Sequence, residues 1–65
     1  MIEQYKKVRN RLNLKPRYIR IFEFRHGIDD KPHTLKESGK MFNISPERVR
    51  QIIARVLYEL EKLIK

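Results

Sequence analysis

Glu47, Arg50, Gln51 and Arg55 carry the kinds of group with which proteins read the edges of nucleic-acid bases. An arginine fork donates two hydrogen bonds to guanine O6 and N7, a glutamine amide pairs with adenine N6 and N7, and a carboxylate accepts from cytosine N4. Wound at about 3.6 residues per turn, these four positions share one side of a helix with Ala54, Tyr58 and Lys62. Val49, Ile52, Ile53, Val56, Leu57, Leu60, Leu63 and Ile64 fall on the other side, and of these Val49, Ile52, Val56 and Leu60 are expected to be core. Glu59 and Glu61 make the second half of the helix acidic, which is unfavourable beside phosphates, so a groove contact should be confined to the first turns.

Other chemistries have little to work with. The chain has no cysteine and two histidines, His26 and His33, whose nearest acids are Asp29 and Asp30 in a Gly- and Pro-containing loop. That set offers neither thiolate nor helically spaced ligands for a metal, and no acid–base pair. His26 is expected at a helix end and His33 in a loop, and no catalytic residue, cofactor, metal or small-molecule substrate is expected.

The elements that must position the reading side chains are marked by local signals. Thr34-Leu35-Lys36-Glu37 fits a capping box, so a helix should run from Leu35 to about Phe42. Asn43 tolerates the left-handed conformation that ends a helix. Ile44-Ser45-Pro46 then restarts one: serine is a preferred N-cap, proline suits the first helical position, and Ile44 can staple onto Val49. Two such helices joined by about three residues, spanning 34–63, match a helix-turn-helix whose second helix covers about 46–63. Gly39, in the middle of the first of them, costs ~1 kcal/mol relative to alanine unless space is needed there, and the crossing second helix would need it.

Upstream, Ile2, Tyr5, Val8, Leu12 and Leu14 form a loose helical stripe among Lys6, Lys7, Arg9 and Arg11, giving a helix over about 2–13. Lys15-Pro16 interrupts it and starts another, over about 16–26, stopped by Gly27. Its run Tyr18-Ile19-Arg20-Ile21-Phe22-Glu23-Phe24 alternates as a strand would, and the otherwise helical setting decides for helix. The 65 residues therefore predict one all-α domain of three or four helices with a C-terminal helix-turn-helix. A chain this short buries only about 60% of its unfolded surface, which suits local helix packing.

Sixteen lysines and arginines against eight acidic residues give a net charge of +8, a balance relieved by a polyanion. No apolar run approaches the ~20 residues that cross a bilayer, and the first residues lack the apolar stretch of a signal peptide. A cytoplasmic protein without membrane contact is expected.

The stretch from His33 to Ile52, HTLKESGKMFNISPERVRQI, continuing through Ala54-Arg55-Val56-Leu57, resembles region 4 of the sigma-70 family of bacterial transcription initiation factors. Phe24-Arg25-His26-Gly27-Ile28-Asp29 resembles the segment that precedes the loop in that family, so the likeness spans roughly Pro16 to Lys62. It implies a domain that reads the −35 promoter element in double-stranded DNA and docks on the β flap of RNA polymerase, and that an anti-sigma factor could bind. Residue by residue, it places Glu47, Arg50 and Gln51 on bases, and Thr34, Arg48 and Arg55 on phosphates. The flap pocket it implies would draw on Tyr18, Ile19, Ile21, Phe22 and Phe24.

The sequence departs from that pattern in several places. Pro46 stands where the family often has an arginine that contacts DNA, Ser38 where a β-branched apolar residue is usual, and Ile53 where a glutamate is common. Tyr58, Glu59 and Glu61 replace a basic cluster through which primary sigma factors often meet activators. Two other readings accommodate the same charge: a basic protein that binds RNA or DNA without regard to sequence, and a stand-alone sigma-like module that acts by protein interaction. The chain is expected to be either a fragment of a longer factor or a small relative of one.

Overall fold

The computed structural model describes residues 2–28 and 31–64. Its helices are α1 (Ile2–Val8), α2 (Pro16–His26), α3 (Leu35–Phe42) and α4 (Pro46–Ile64), with a short 3-10 turn at Arg9–Arg11 after α1. Among the described residues there is no strand, and no helix is long and apolar enough to cross a membrane. Asp29 and Asp30 lie outside the described residues, as do the side chains of Ile2 and Ile64.

α4 is the spine. Its first half packs on α2 and α3 through Ile21, Val49 and Ile52, with Leu35, Phe42 and Ile44 closing the margin. Farther along, Val56 and Leu60 join Tyr5, Leu12, Phe22 and Ile28 in a second cluster that ties on α1. Each fully buried large side chain of this kind contributes roughly 1.5–3 kcal/mol, and Tyr5, Ile21, Phe22, Val49 and Val56 are all essentially inaccessible.

Burial on two sides explains the ambiguous sequence of α2. Phe22 faces the cluster with α1, Ile21 faces the cluster with α3, and Tyr18 touches both. A helix covered this way has no single polar face, so its apolar residues fall close together and mimic strand alternation. Its boundaries are local: Lys15 is extended before Pro16 at the helix start, and Gly27 adopts the left-handed conformation (φ 64°, ψ 45°) while its N–H donates to the Glu23 carbonyl.

Two expectations are corrected. The first helix does not continue to residue 13; it stops at Val8, tightens into the 3-10 turn, and Leu12 is extended (φ −71°, ψ 125°). A helix to Asn13 would leave only Leu14 and Lys15 to reverse the chain before Pro16, whereas the early stop lets Leu12 turn into the core. Leu57, expected on the apolar side, is 37% exposed, because α1, α2 and α3 cover the line through Val49, Ile52, Val56 and Leu60 and Leu57 lies at its edge.

His33 ties the end of the loop before α3 back to α2, while the contacts of His26 stay within α2. His26 Nδ1 donates to the Phe22 carbonyl at 3.1 Å with its ring stacked on Phe22, and His33 Nδ1 donates to the Phe24 carbonyl at 3.0 Å with its ring 3.8 Å from that of Phe24. Among the described residues no cluster of three or more His, Cys, Asp or Glu could hold a metal ion.

Candidate nucleic-acid interface

α3 begins with a complete capping box. The Thr34 hydroxyl accepts from the Glu37 N–H at 3.0 Å, and the Glu37 carboxylate accepts from the Thr34 N–H at 2.8 Å. Donation by the Thr34 backbone holds the Glu37 carboxyl below its ordinary range, with the Thr34 side chain and the charges of His33 and Lys31 adding to the effect. A group whose pKa is depressed on folding contributes stability above its unfolded pKa and loses it as pH falls through the folded one. We therefore expect thermal melting temperature to fall on acidification below the usual glutamate range, and Glu37→Gln, which keeps a capping amide, to remove its share of that fall in melts recorded from pH 6 to pH 2. An unchanged acid limb in the variant would assign the dependence to other carboxylates.

Ser38 fills an otherwise apolar position without an unmet polar group. It is fully buried, and its hydroxyl donates to the Thr34 carbonyl at 2.9 Å. Asn43 ends α3 in the left-handed conformation (φ 58°, ψ 47°), and its N–H and that of Ile44 both donate to the Gly39 carbonyl. Ser45 then caps α4, its hydroxyl accepting from the Arg48 N–H at 3.1 Å. Gly39 lies against this turn: a Cβ there would stand 2.5 Å from the Ile44 carbonyl oxygen and 3.3 Å from Pro46 N and the Ser45 carbonyl carbon. The space is therefore needed by the backbone of the turn and by the first residue of α4, where the second helix begins.

The turn fixes where the first half of α4 projects. Glu47, Arg50, Gln51 and Arg55 are all exposed, above a core side formed by Val49, Ile52 and Val56. Arg50 and Glu47 form a forked pair: Nε donates to Oε2 at 3.0 Å and Nη2 donates to Oε1. That hydrogen bonding lowers the Glu47 pKa and raises that of Arg50. Arg55 Nη2 lies 3.5 Å from Glu59 Oε1. Farther along, Lys62 Nζ lies 4.4 Å from the centre of the Tyr58 ring, which is 54% exposed.

The residues given phosphate roles by resemblance separate in space. Thr34 is at the start of α3 and Arg55 follows Gln51 on α4. Arg48 turns instead toward α2, donating to the Tyr18 hydroxyl at 3.0 Å, with its guanidinium 5.8 Å from that ring's centre. There it lines a groove of about 280 Å³ with Lys15, Arg17, Tyr18, Ile44 and Ile52. Lys15 and Arg17 are cations that sequence reasoning did not single out. Arg17 Nη2 donates to the Phe42 carbonyl at 2.7 Å, binding the start of α2 to the end of α3. Two basic residues around Pro16 were the available signal, but only the packing of α2 on α3 brings them beside Arg48.

This arrangement, a short capped helix, a three-residue turn sealed against a glycine and a longer helix with an exposed polar face, defines a helix-turn-helix domain. Residues 12–62 match the family Sigma-70, region 4, and the chain belongs to that family. It is 47% identical over 57 residues to RNA polymerase sigma factor sigF, chloroplastic, of Arabidopsis thaliana, covering 85% of this chain and 10% of that protein. It is 44% identical over 59 residues to RNA polymerase sigma factor SigA of Clostridium acetobutylicum (89% and 15%), and 47% identical over 51 residues to RNA polymerase principal sigma factor HrdD of Streptomyces coelicolor (77% and 15%). The chain thus spans only 10 to 15% of the length of these relatives. No solved structure matches it.

Proposed function

We propose that this domain acts in transcription initiation by reading the −35 element of a promoter in the major groove, with Glu47, Arg50 and Gln51 on base edges and Thr34, Arg48 and Arg55 on phosphates. The observation that carries the reading is the exposure of Glu47, Arg50 and Gln51 together on the first two turns of α4, a helix seated by the Gly39 turn. A recognition helix meets bases with these early turns. The names of the relatives, all RNA polymerase sigma factors, support the same role. Lys15 and Arg17, in the groove beside Arg48, extend the cationic margin available to the phosphate backbone.

The reading includes docking on the β flap of RNA polymerase. Ile21 and Phe22 have no accessible surface and act only as core, which removes them from any contact. Phe24 instead lines an open groove of about 600 Å³ with His33, Glu37, Lys40 and Met41, the last 63% exposed, and this groove offers a polymerase segment an apolar surface.

Fluorescence anisotropy against a −35-type duplex, a scrambled duplex and a hairpin RNA, each at two salt concentrations, tests the base reading. Preference for the −35 duplex should persist as salt rises, and Gln51→Ala should cost ~1–3 kcal/mol on that duplex and less on the others. Equal loss on all three ligands would remove Gln51 from base reading, and equal wild-type binding erased by salt would favour sequence-independent attraction.

A further inference from the structure

Both outward arginines of α4 that flank Gln51 are matched with carboxylates: Arg50 with Glu47 one turn before it, and Arg55 with Glu59 one turn after it. The two pairs have different physical explanations. Glu47 lies in the first turn of α4, where a negative charge is favoured by the helix dipole. Glu59 has no such support. It lies in the second half of the helix, and Arg55 precedes it, which is the less favourable order for an i,i+4 pair. It also places a negative charge on a helix proposed to approach phosphates, in a domain of net charge +8.

Its position does have an electrostatic consequence. The Glu59 side chain is only 19% exposed and that of Arg55 is 58% exposed, with the charged atoms 3.5 Å apart. That separation is far inside the screening length of ~8–10 Å at physiological salt. An approaching phosphate therefore meets an ion pair, whose field decays much faster than that of a free guanidinium. Partial burial of Glu59 keeps the compensating charge in place while the arginine end remains accessible.

We propose that Glu59 restrains sequence-independent binding, neutralising Arg55 beside the base-reading turns so that this arginine touches a phosphate in the seated promoter complex but adds little attraction for nucleic acid at large. The inference rests on the DNA-reading function proposed above and deepens it: a domain searching among many non-specific sites gains selectivity when general attraction is held down. Lys15, Arg17 and Arg48, which line one groove, are then among the cations left to attract phosphate.

The test measures binding of the complete chain to a scrambled duplex by anisotropy across a salt series. Glu59→Gln should tighten binding by about fivefold near 0.1 M salt and steepen the dependence of log K on log salt by about 0.9, the value for one additional phosphate. In an Arg55→Gln background the same change should have no such effect, because the released partner is gone. Equal tightening in both backgrounds would mean that net charge alone acts, and would overturn the proposal, as would no tightening in the native background. Glu61→Gln makes the same change in net charge two residues along and should steepen the slope less; an equal effect would also count against the pair. Circular dichroism confirms that each variant is folded. The scrambled duplex keeps this result independent of base reading: a wild-type chain without preference for the −35 duplex defeats the function proposed above, and the Glu59 effect is decided separately.

Discussion

Gly39→Ala is expected to lose about 3 kcal/mol of stability, at the upper end of what forced overpacking usually costs. The added methyl would stand 2.5 Å from the Ile44 carbonyl oxygen, with Pro46 N and the Ser45 carbonyl carbon at 3.3 Å. These are backbone atoms, so no side-chain rotamer can relieve the contact. Relief requires moving the turn, and the turn carries the N–H groups of Asn43 and Ile44 that close on the Gly39 carbonyl. A domain of this size has only ~3–5 kcal/mol in total, so the variant should retain at most about 2 kcal/mol and populate the unfolded state measurably at ambient temperature. A fall of roughly 10–25 °C in melting temperature is expected from the usual 4–8 °C per kcal/mol. Melting by circular dichroism checks this, and a midpoint within about 5 °C of wild type would show that the turn relaxes without loss. DNA binding should fall with the folded fraction, because the same turn aims Glu47, Arg50 and Gln51.

Phe22→Ala is expected to be as severe, at ~3–5 kcal/mol. Phe22 is fully buried at the junction of α1, α2 and α4, with its ring centre 5.2 Å from that of Tyr5 and 4.3 Å from that of His26. Removing it opens a cavity in the cluster with Val56 and Leu60 and removes the ring contact to Tyr5. The Tyr5 hydroxyl donates to Glu23 at 2.6 Å, and Arg9 reaches the same carboxylate at 3.4 Å, so α1 is held by a polar tie directly beside the lost ring. Urea titration should show no cooperative transition for Phe22→Ala, while Phe22→Leu, which retains much of the volume, should unfold cooperatively at a lower midpoint. A cooperative transition for the alanine variant near the wild-type midpoint would mean that the α1 side of the core carries little of the stability.

The same contrast between local and distant causes separates what could be read in the residues from what could not. Thr34 with Glu37, Ser45 with Pro46, and Gly27 and Asn43 as left-handed stops act through hydrogen bonds or backbone angles within four or five residues, and the structure contains each of them. The separation of Val49, Ile52, Val56 and Leu60 from Glu47, Arg50, Gln51 and Arg55 follows from helical periodicity once α4 exists. The glycine at 39 announced a close approach, though only the folded backbone identified the atoms that make it.

The sequence by itself thus determined an all-α chain, the starts of α2, α3 and α4, the stops of α2 and α3, and which side of α4 is polar. Tertiary structure decided where α1 ends, because Leu12 must leave the helix to enter a core built by α2 and α4. It decided that Leu57 stays exposed, since the width of the covering helices sets how much of an apolar side is buried. It also turned Arg48 toward Tyr18, 30 positions away, and placed Lys15 and Arg17 in the same groove, because contacts between residues so far apart in sequence depend on how whole helices pack, which no local hydrogen-bond or periodicity rule encodes.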